Sequence, residues 1–235
     1  MRRITMIAAV IPMMMAAVAF GQAAKSLPQI TATKHNFNAD GYSWADGEIC
    51  KPCHTPHNAT VDANISTRLW NHKLTTANYT LHNGTTNATY DQALDRYSRL
   101  CMSCHDGTVA LDAFGLATDG TPNAGTDTAG FKDKSAMLGT DLTNDHPVGL
   151  AAVYDGAVSY HAATVSTTNS SGVTTTKVGS LTLVNATVGG ATVTVVGCST
   201  CHNPHGKGAT AGNPYKHLLV VDNTNSALCT SCHLK

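Results

Sequence analysis

All eight cysteines of this 235-residue chain fall in four copies of one five-residue unit. The units are Cys50-Lys51-Pro52-Cys53-His54, Cys101-Met102-Ser103-Cys104-His105, Cys198-Ser199-Thr200-Cys201-His202 and Cys229-Thr230-Ser231-Cys232-His233. Cys-x-x-Cys-His is the attachment signature of c-type haem. Each thiol adds across a haem vinyl group, and the two thioethers fix the ring against the backbone. On a helical turn, residues i, i+3 and i+4 share one face. The imidazole then lies under the iron that its own cysteines tether. Two alternatives use the same cysteines: a pair of Cys₄ zinc sites or a disulfide framework. Neither requires a histidine after every pair. The expectation is four covalently bound haem c groups.

The N-terminus bears on the compartment. Met1-Arg2-Arg3 is basic, Ile4 to Phe20 is a 17-residue apolar run, and Gly21 to Ala24 are mostly small. This pattern predicts a secretory signal peptide over residues 1–24. The alternative is an uncleaved anchor, for which the run is short of the roughly 20 residues a spanning helix needs. No later segment is apolar enough to cross a membrane. The chain is therefore expected to be secreted, to the extracellular space or outer surface, with the periplasm as the alternative.

With 4 Phe and 2 Trp, a core built from side chains alone would be thin. Haem rings would supply the missing apolar surface, at roughly 25 cal/mol per Å² buried. The predicted fold class is a multihaem cytochrome c: mostly irregular, with short α-helices carrying the Cys-x-x-Cys-His units, a small β-hairpin element and a haem-organised core. Folding should depend on the cofactor, as it does in small metal domains. Lysine plus arginine and aspartate plus glutamate each number 15. No basic face emerges, which argues against nucleic acid as a partner.

First cysteines are 51, 97 and 31 residues apart. The wide central gap divides the chain into a first dihaem module with an N-terminal arm (25–145) and a second dihaem module (146–235). The first and third units continue as His54-Thr55-Pro56-His57 and His202-Asn203-Pro204-His205, whereas the second and fourth do not. This alternation suggests a duplication. Thr89-Tyr90-Asp91-Gln92 reads as a capping box opening one helix with Leu94, Tyr97, Cys101 and Cys104 on a stripe, ended by Gly107. A shorter helix is expected over about Ser226–Cys232, and a loop over Asp112–Asp141. Residues 158–196 alternate Thr and Val, with turn signals at Asn169–Gly172 and Gly189-Gly190. They read as two or three strands forming a solvated β insertion, with subunit contact through a strand edge as the alternative.

The sixth ligand of each iron separates electron transfer from small-molecule chemistry. His54, His105, His202 and His233 are the expected proximal ligands. Five of the seven methionines lie in the signal, Met102 sits inside a unit, and only Met137 is free. Eight histidines lie outside the units: His35, His57, His72, His82, His146, His161, His205 and His217. Bis-histidine ligation is the reading this supports. His57 and His205 follow a proline three residues past a proximal histidine, too close to curl over their own haem. They are expected to cap the second and fourth haems. His72, in Leu69-Trp70-Asn71-His72, and His146, in His146-Pro147-Val148-Gly149, are further distal candidates. His35, near the start of the mature chain, is either an intrachain candidate or a ligand lent to another subunit. His82, His161 and His217 read as exposed polar residues.

Together with Lys34-His35-Asn36, His105-Asp106-Gly107 and Leu228-Cys229, these segments resemble the doubled-CXXCH multihaem cytochromes of metal-respiring bacteria. Within that group the chain most resembles the secreted tetrahaem cytochromes of the OmcE type, which polymerise into extracellular filaments. The resemblance spans nearly the whole mature chain except residues 158–196. It implies haems stacked in a continuous chain, self-association into a filament, and an axial histidine donated between subunits, for which His35 is the candidate. It implies other multihaem cytochromes as electron donors and an extracellular metal oxide or other terminal acceptor.

The expected function is electron transfer without bond chemistry on a substrate, the haem supplying the redox chemistry. A multihaem reductase of a small nitrogen or sulfur oxyanion is one alternative. A monomeric periplasmic shuttle is another.

Overall fold

The computed structural model describes residues 29–60, 69–116, 123–156, 159–166, 175–188, 191–206 and 218–234. The expected signal peptide, His217 and the turns at Asn169–Gly172 and Gly189-Gly190 lie outside the described residues. Among the described residues no helix is long and apolar enough to cross a membrane.

Regular structure is sparse, as the fold class anticipated. A two-stranded ribbon, β1 (Asn78–Tyr79) and β2 (Ala88–Thr89), is antiparallel. It leads into α1 (Tyr90–Ala93) and α2 (Arg96–His105). The predicted single helix is therefore broken. Leu94 is extended (φ −117°, ψ 142°). Asp95 starts a second helix, its side chain accepting from the amides of Tyr97 and Ser98 at 3.0 and 3.1 Å. An aspartate that satisfies two orphan amides is a stronger start signal than Thr89. α2 ends at the expected place, where Gly107 takes φ +74°.

The break is used. Gly149 sits against it with φ +63°, and a β-carbon there would collide with the Ala93 carbonyl oxygen. Its N–H donates to Val196 O at 2.8 Å. Only glycine meets both demands at this joint between the two halves of the chain.

The β region differs from the expected solvated insertion. Strands β3 (Thr164–Ser166), β4 (Thr175–Val178), β5 (Leu181–Val188) and β6 (Ala191–Val195) form a four-stranded antiparallel meander in sequence order. The β4–β5 turn at Gly179-Ser180, with Gly179 at φ +56°, is a two-residue hairpin signal that the Thr/Val alternation obscured. β5 is buried on both faces in turn. Leu181 and Leu183 join Val178 against Leu228 and Cys232, while Val184 and Ala186 join Val195 against Tyr97 and Leu150. Burial of these side chains is what holds the sheet between the halves.

Two further clusters complete the interior. Tyr79, Leu81, Ala93, Leu94, Met102 and Leu142 form one. Phe37, Tyr42, Ala45, Leu111 and Phe131 form the other. The described residues of the Asp112–Asp141 stretch are loop apart from a 3₁₀ turn at Lys134–Ala136. The C-terminal helix is shorter than expected: a 3₁₀ turn at Thr224–Ser226, then α4 (Ala227–Thr230).

Candidate haem sites

The four Cys-x-x-Cys-His units have different local frames. The second closes α2, the third forms α3 (Cys198–Cys201), and the fourth starts on α4. The first is a single turn rather than a helix. Pro52 supplies no amide there and steers Lys51 away from helical geometry. The essential contact survives: the histidine N–H donates to the first cysteine's carbonyl at 2.8 Å for His54, 2.9 Å for His202 and 2.9 Å for His233. That bond brings both thiols and the imidazole to one side of the turn.

The first and third units repeat one geometry. Thr55 N–H donates to Leu69 O, and Asn203 N–H to Leu218 O, both at 2.8 Å. Leu69 and Leu218 both lie in the left-handed region, at φ 58° and 60°. Asn71 and Val220 return their amides to Cys53 O and Cys201 O, each at 2.9 Å. The turns after each Pro-His pair end in left-handed residues, Asn58 (φ 55°) and Gly206 (φ 70°). This shared scaffold, far from trivial for two leucines, fits the duplication read from the alternating units.

Three imidazole pairs form across the molecule. His54 and His205 have ring centres 6.0 Å apart, His105 and His35 6.2 Å, and His233 and His146 6.3 Å. Two imidazoles on opposite faces of one iron, each bonded at about 2 Å through a ring nitrogen, hold their centres roughly 6 Å apart. Each pair joins a proximal candidate to a histidine outside its own unit. In His105, His35 and His146, Nδ1 meets a backbone carbonyl: Ala136 O at 2.7 Å, Pro204 O at 3.1 Å and Pro147 O at 2.9 Å. Those carbonyls select the tautomer that leaves Nε2 available to a metal. Burial pushes His35 and His105 below the ordinary histidine range, partly offset by these carbonyls. Neutral imidazole is the form that ligates.

Several sequence-based assignments change. His205 lies against His54 of the first unit, not at the fourth. The contact of His35 Nδ1 with Pro204 O ties the third unit's extension to the N-terminal segment of the first module. Of the two alternatives for His35, the structure places it beside His105 of its own chain. His57 is exposed, with no ring partner among the described residues; its carbonyl accepts from Thr55 Oγ1 at 2.7 Å. His72 is buried at 1% exposure and faces no other imidazole. Its Nδ1 meets Lys73 O at 2.8 Å and its Nε2 meets Leu111 O at 3.3 Å, with Cys104 Sγ at 3.5 Å. His202 lies within electrostatic reach of His105 and His35. His82 and His161 are exposed.

Neighbouring units approach through their cysteines in chain order. Cys104 feels Cys53 of the first unit, though burial is the larger cause of its raised pKa. The Cys101 thiol donates to Cys198, which holds Cys101 protonated and draws Cys198 down. Cys201, pushed up to about 11 chiefly by burial, also feels Cys232. None of the eight cysteines forms a disulfide. No three His, Cys, Asp or Glu side chains among the described residues converge as a metal cage.

The chain's own groups fit haem c on a further count. Trp70 packs edge-on to His54 at 6.3 Å, and its indole N–H is buried with no acceptor among the described residues. A haem propionate carries the carboxylate such a donor lacks. Tyr160, which sequence reasoning passed over, bridges the His233 backbone and sets its ring tilted against that imidazole, with centres 5.0 Å apart. The Thr/Val setting of Tyr160 gave no sign of this.

Residues 191–235, which hold the third and fourth units, match the family described as Doubled CXXCH motif. The match supports the class of multihaem c-type cytochromes. No curated protein matches the chain. In this class the Cys-x-x-Cys-His motifs bind haem c covalently, and the haem supplies one-electron chemistry. The protein's part is to tether, ligate and space those groups.

Proposed function

We propose that this chain is a secreted tetrahaem cytochrome that carries electrons outside the cell through closely spaced bis-histidine haems. The three imidazole pairs at 6.0–6.3 Å carry this reading. Each brings two imidazoles together, a ligand set suited to electron transfer rather than to binding a small substrate. Electrostatic effects between cysteines link the first unit to the second, the second to the third, and the third to the fourth. They favour a single electron path in chain order.

The resemblance to OmcE-type cytochromes extends the proposal to a filament, and the duplicated scaffold favours His57 over His35 as the interchain ligand. His205 of the second module crosses to the extended unit of the first. His57 holds the equivalent position in the first module and is exposed. We assign it to the extended third unit of a neighbouring copy, which continues the same module-to-module contact head to tail. Other multihaem cytochromes would donate electrons, and an extracellular metal oxide or similar acceptor would receive them.

Intact mass and a pyridine haemochrome assay of the secreted protein should give four haems per chain. Electron paramagnetic resonance should show only low-spin ferric iron. A high-spin signal, or CO binding to the reduced protein, would overturn bis-histidine ligation and favour the reductase. Imaging should show filaments that His57→Ala abolishes and His35→Ala retains; particles of single-chain size in the wild type would sink the polymer.

A further inference from the structure

The second unit is followed by a carboxylate that the other three units lack: Asp106, only 5% exposed. Four donors converge on it. Thr75 Oγ1 and Tyr79 O–H donate to Oδ2 at 2.5 and 2.6 Å. Thr108 N–H and Oγ1 donate to Oδ1, both at 2.8 Å. A carboxylate accepts at every one of these positions, the hydrogen bonding that suits a buried anion. Among the described residues each donor is neutral, so the negative charge stays unpaired locally. Burial first, and then the Asp106 carboxylate, raise the Tyr79 phenol well above its ordinary value, and it remains a donor. The field of Asp106 reaches both Cys104 and His105. The nearest buried cation, Arg99, lies higher on α2, its guanidinium 3.5 Å over the Tyr90 ring and its Nε donating to Thr75 O at 3.2 Å.

We propose that Asp106 is a potential-setting residue: its fixed charge, held by Thr75, Tyr79 and Thr108, lowers the reduction potential of the haem at the second unit. The inference rests on reading that unit as a haem site. Ferric haem carries one more positive charge than ferrous haem, so a buried anion close by favours the oxidised form. Salt screens such a charge little. The hydroxyl donors spread part of that charge, which sets its strength as well as its position.

The test is spectroelectrochemical titration of the intact holoprotein, with the second-unit peptide checked for haem by mass. Absence of haem there would defeat the haem reading rather than this one. With haem present, Asp106→Asn should raise one redox component, shifting its reduced-to-oxidised ratio at fixed potential on the order of tenfold, and leave the rest near their wild-type values. Tyr79→Phe keeps the charge and removes a donor, and should move the same component down by less. Opposite movement of one component is not what a purely structural role would produce. If Asp106→Asn fails to load haem, Tyr79→Phe decides alone: a downward shift supports the proposal and an unmoved component overturns it. An unmoved or lowered component in a loaded Asp106→Asn protein also overturns it.

Discussion

The second and fourth units share a five-residue frame and little else. The second ends a ten-residue helix, N-capped by Asp95, with Met102 and Ser103 at 1% and 0% exposure. The fourth sits on one turn, α4, with no buried residue, entered through left-handed Asn225 and Ser226. His105 is anchored to the Ala136 carbonyl, and His233 leans on the Tyr160 backbone and ring. The first and third units, by contrast, share the pair of backbone hydrogen bonds that joins Thr55 to Leu69 and Asn71 to Cys53 in one, and Asn203 to Leu218 and Val220 to Cys201 in the other. A covalent motif therefore guarantees attachment but not environment. Environment comes from what the surrounding chain packs against the unit.

Removing a distal ligand is the strongest way to probe that contrast. His35→Ala should convert one haem at the second unit from low to high spin, and His146→Ala one at the fourth. Paramagnetic resonance and CO difference spectra read both, and wild-type spectra from either variant would break the pairing assigned here.

Core truncation should separate the two sites by stability. Met102→Ala is expected to cost about 2–5 kcal/mol, whereas Leu228→Ala, half-buried on α4, should cost about 1 kcal/mol. Chemical denaturation of the holoprotein measures both, and equal losses would erase the distinction.

At the joint between the halves, Gly149→Ala should cost roughly 2–4 kcal/mol, from left-handed strain plus the clash with Ala93. A neutral outcome would show that the helix break yields readily. The smallest contrast lies in the caps. Asp95→Ala should cost about 1 kcal/mol. Asp222→Ala, which removes an exposed turn's acceptor for Thr224 N–H at 2.9 Å, should stay within about 0.5 kcal/mol.

Much was readable from residues alone because the relevant forces are local. The Cys-x-x-Cys-His units, the stop at Gly107 and the sparse regular structure all follow from nearest-neighbour geometry. The helix break escaped because Leu94 and Tyr97 were joined into one stripe across Asp95, whose N-capping chemistry was available. The β region escaped for a different reason. Alternating Thr and Val can face water or a core, and only the partners Leu228, Cys232 and Tyr97 decide which. Asp106 could be seen beside the second unit, but not that Thr75 and Tyr79, some 30 residues upstream, would converge on it.

By itself the sequence determined the tethering pattern: Cys-x-x-Cys-His motifs that indicate covalent haem c, a histidine after every cysteine pair, and histidine rather than methionine in supply elsewhere in the chain. Tertiary structure decided the pairing. His205 reaches His54 across the joint between the halves, where β5 and Gly149 pack, and His35 reaches His105 within the first module, between Phe37 and Phe131. Ligand exchange between distant segments depends on packing that no local pattern encodes.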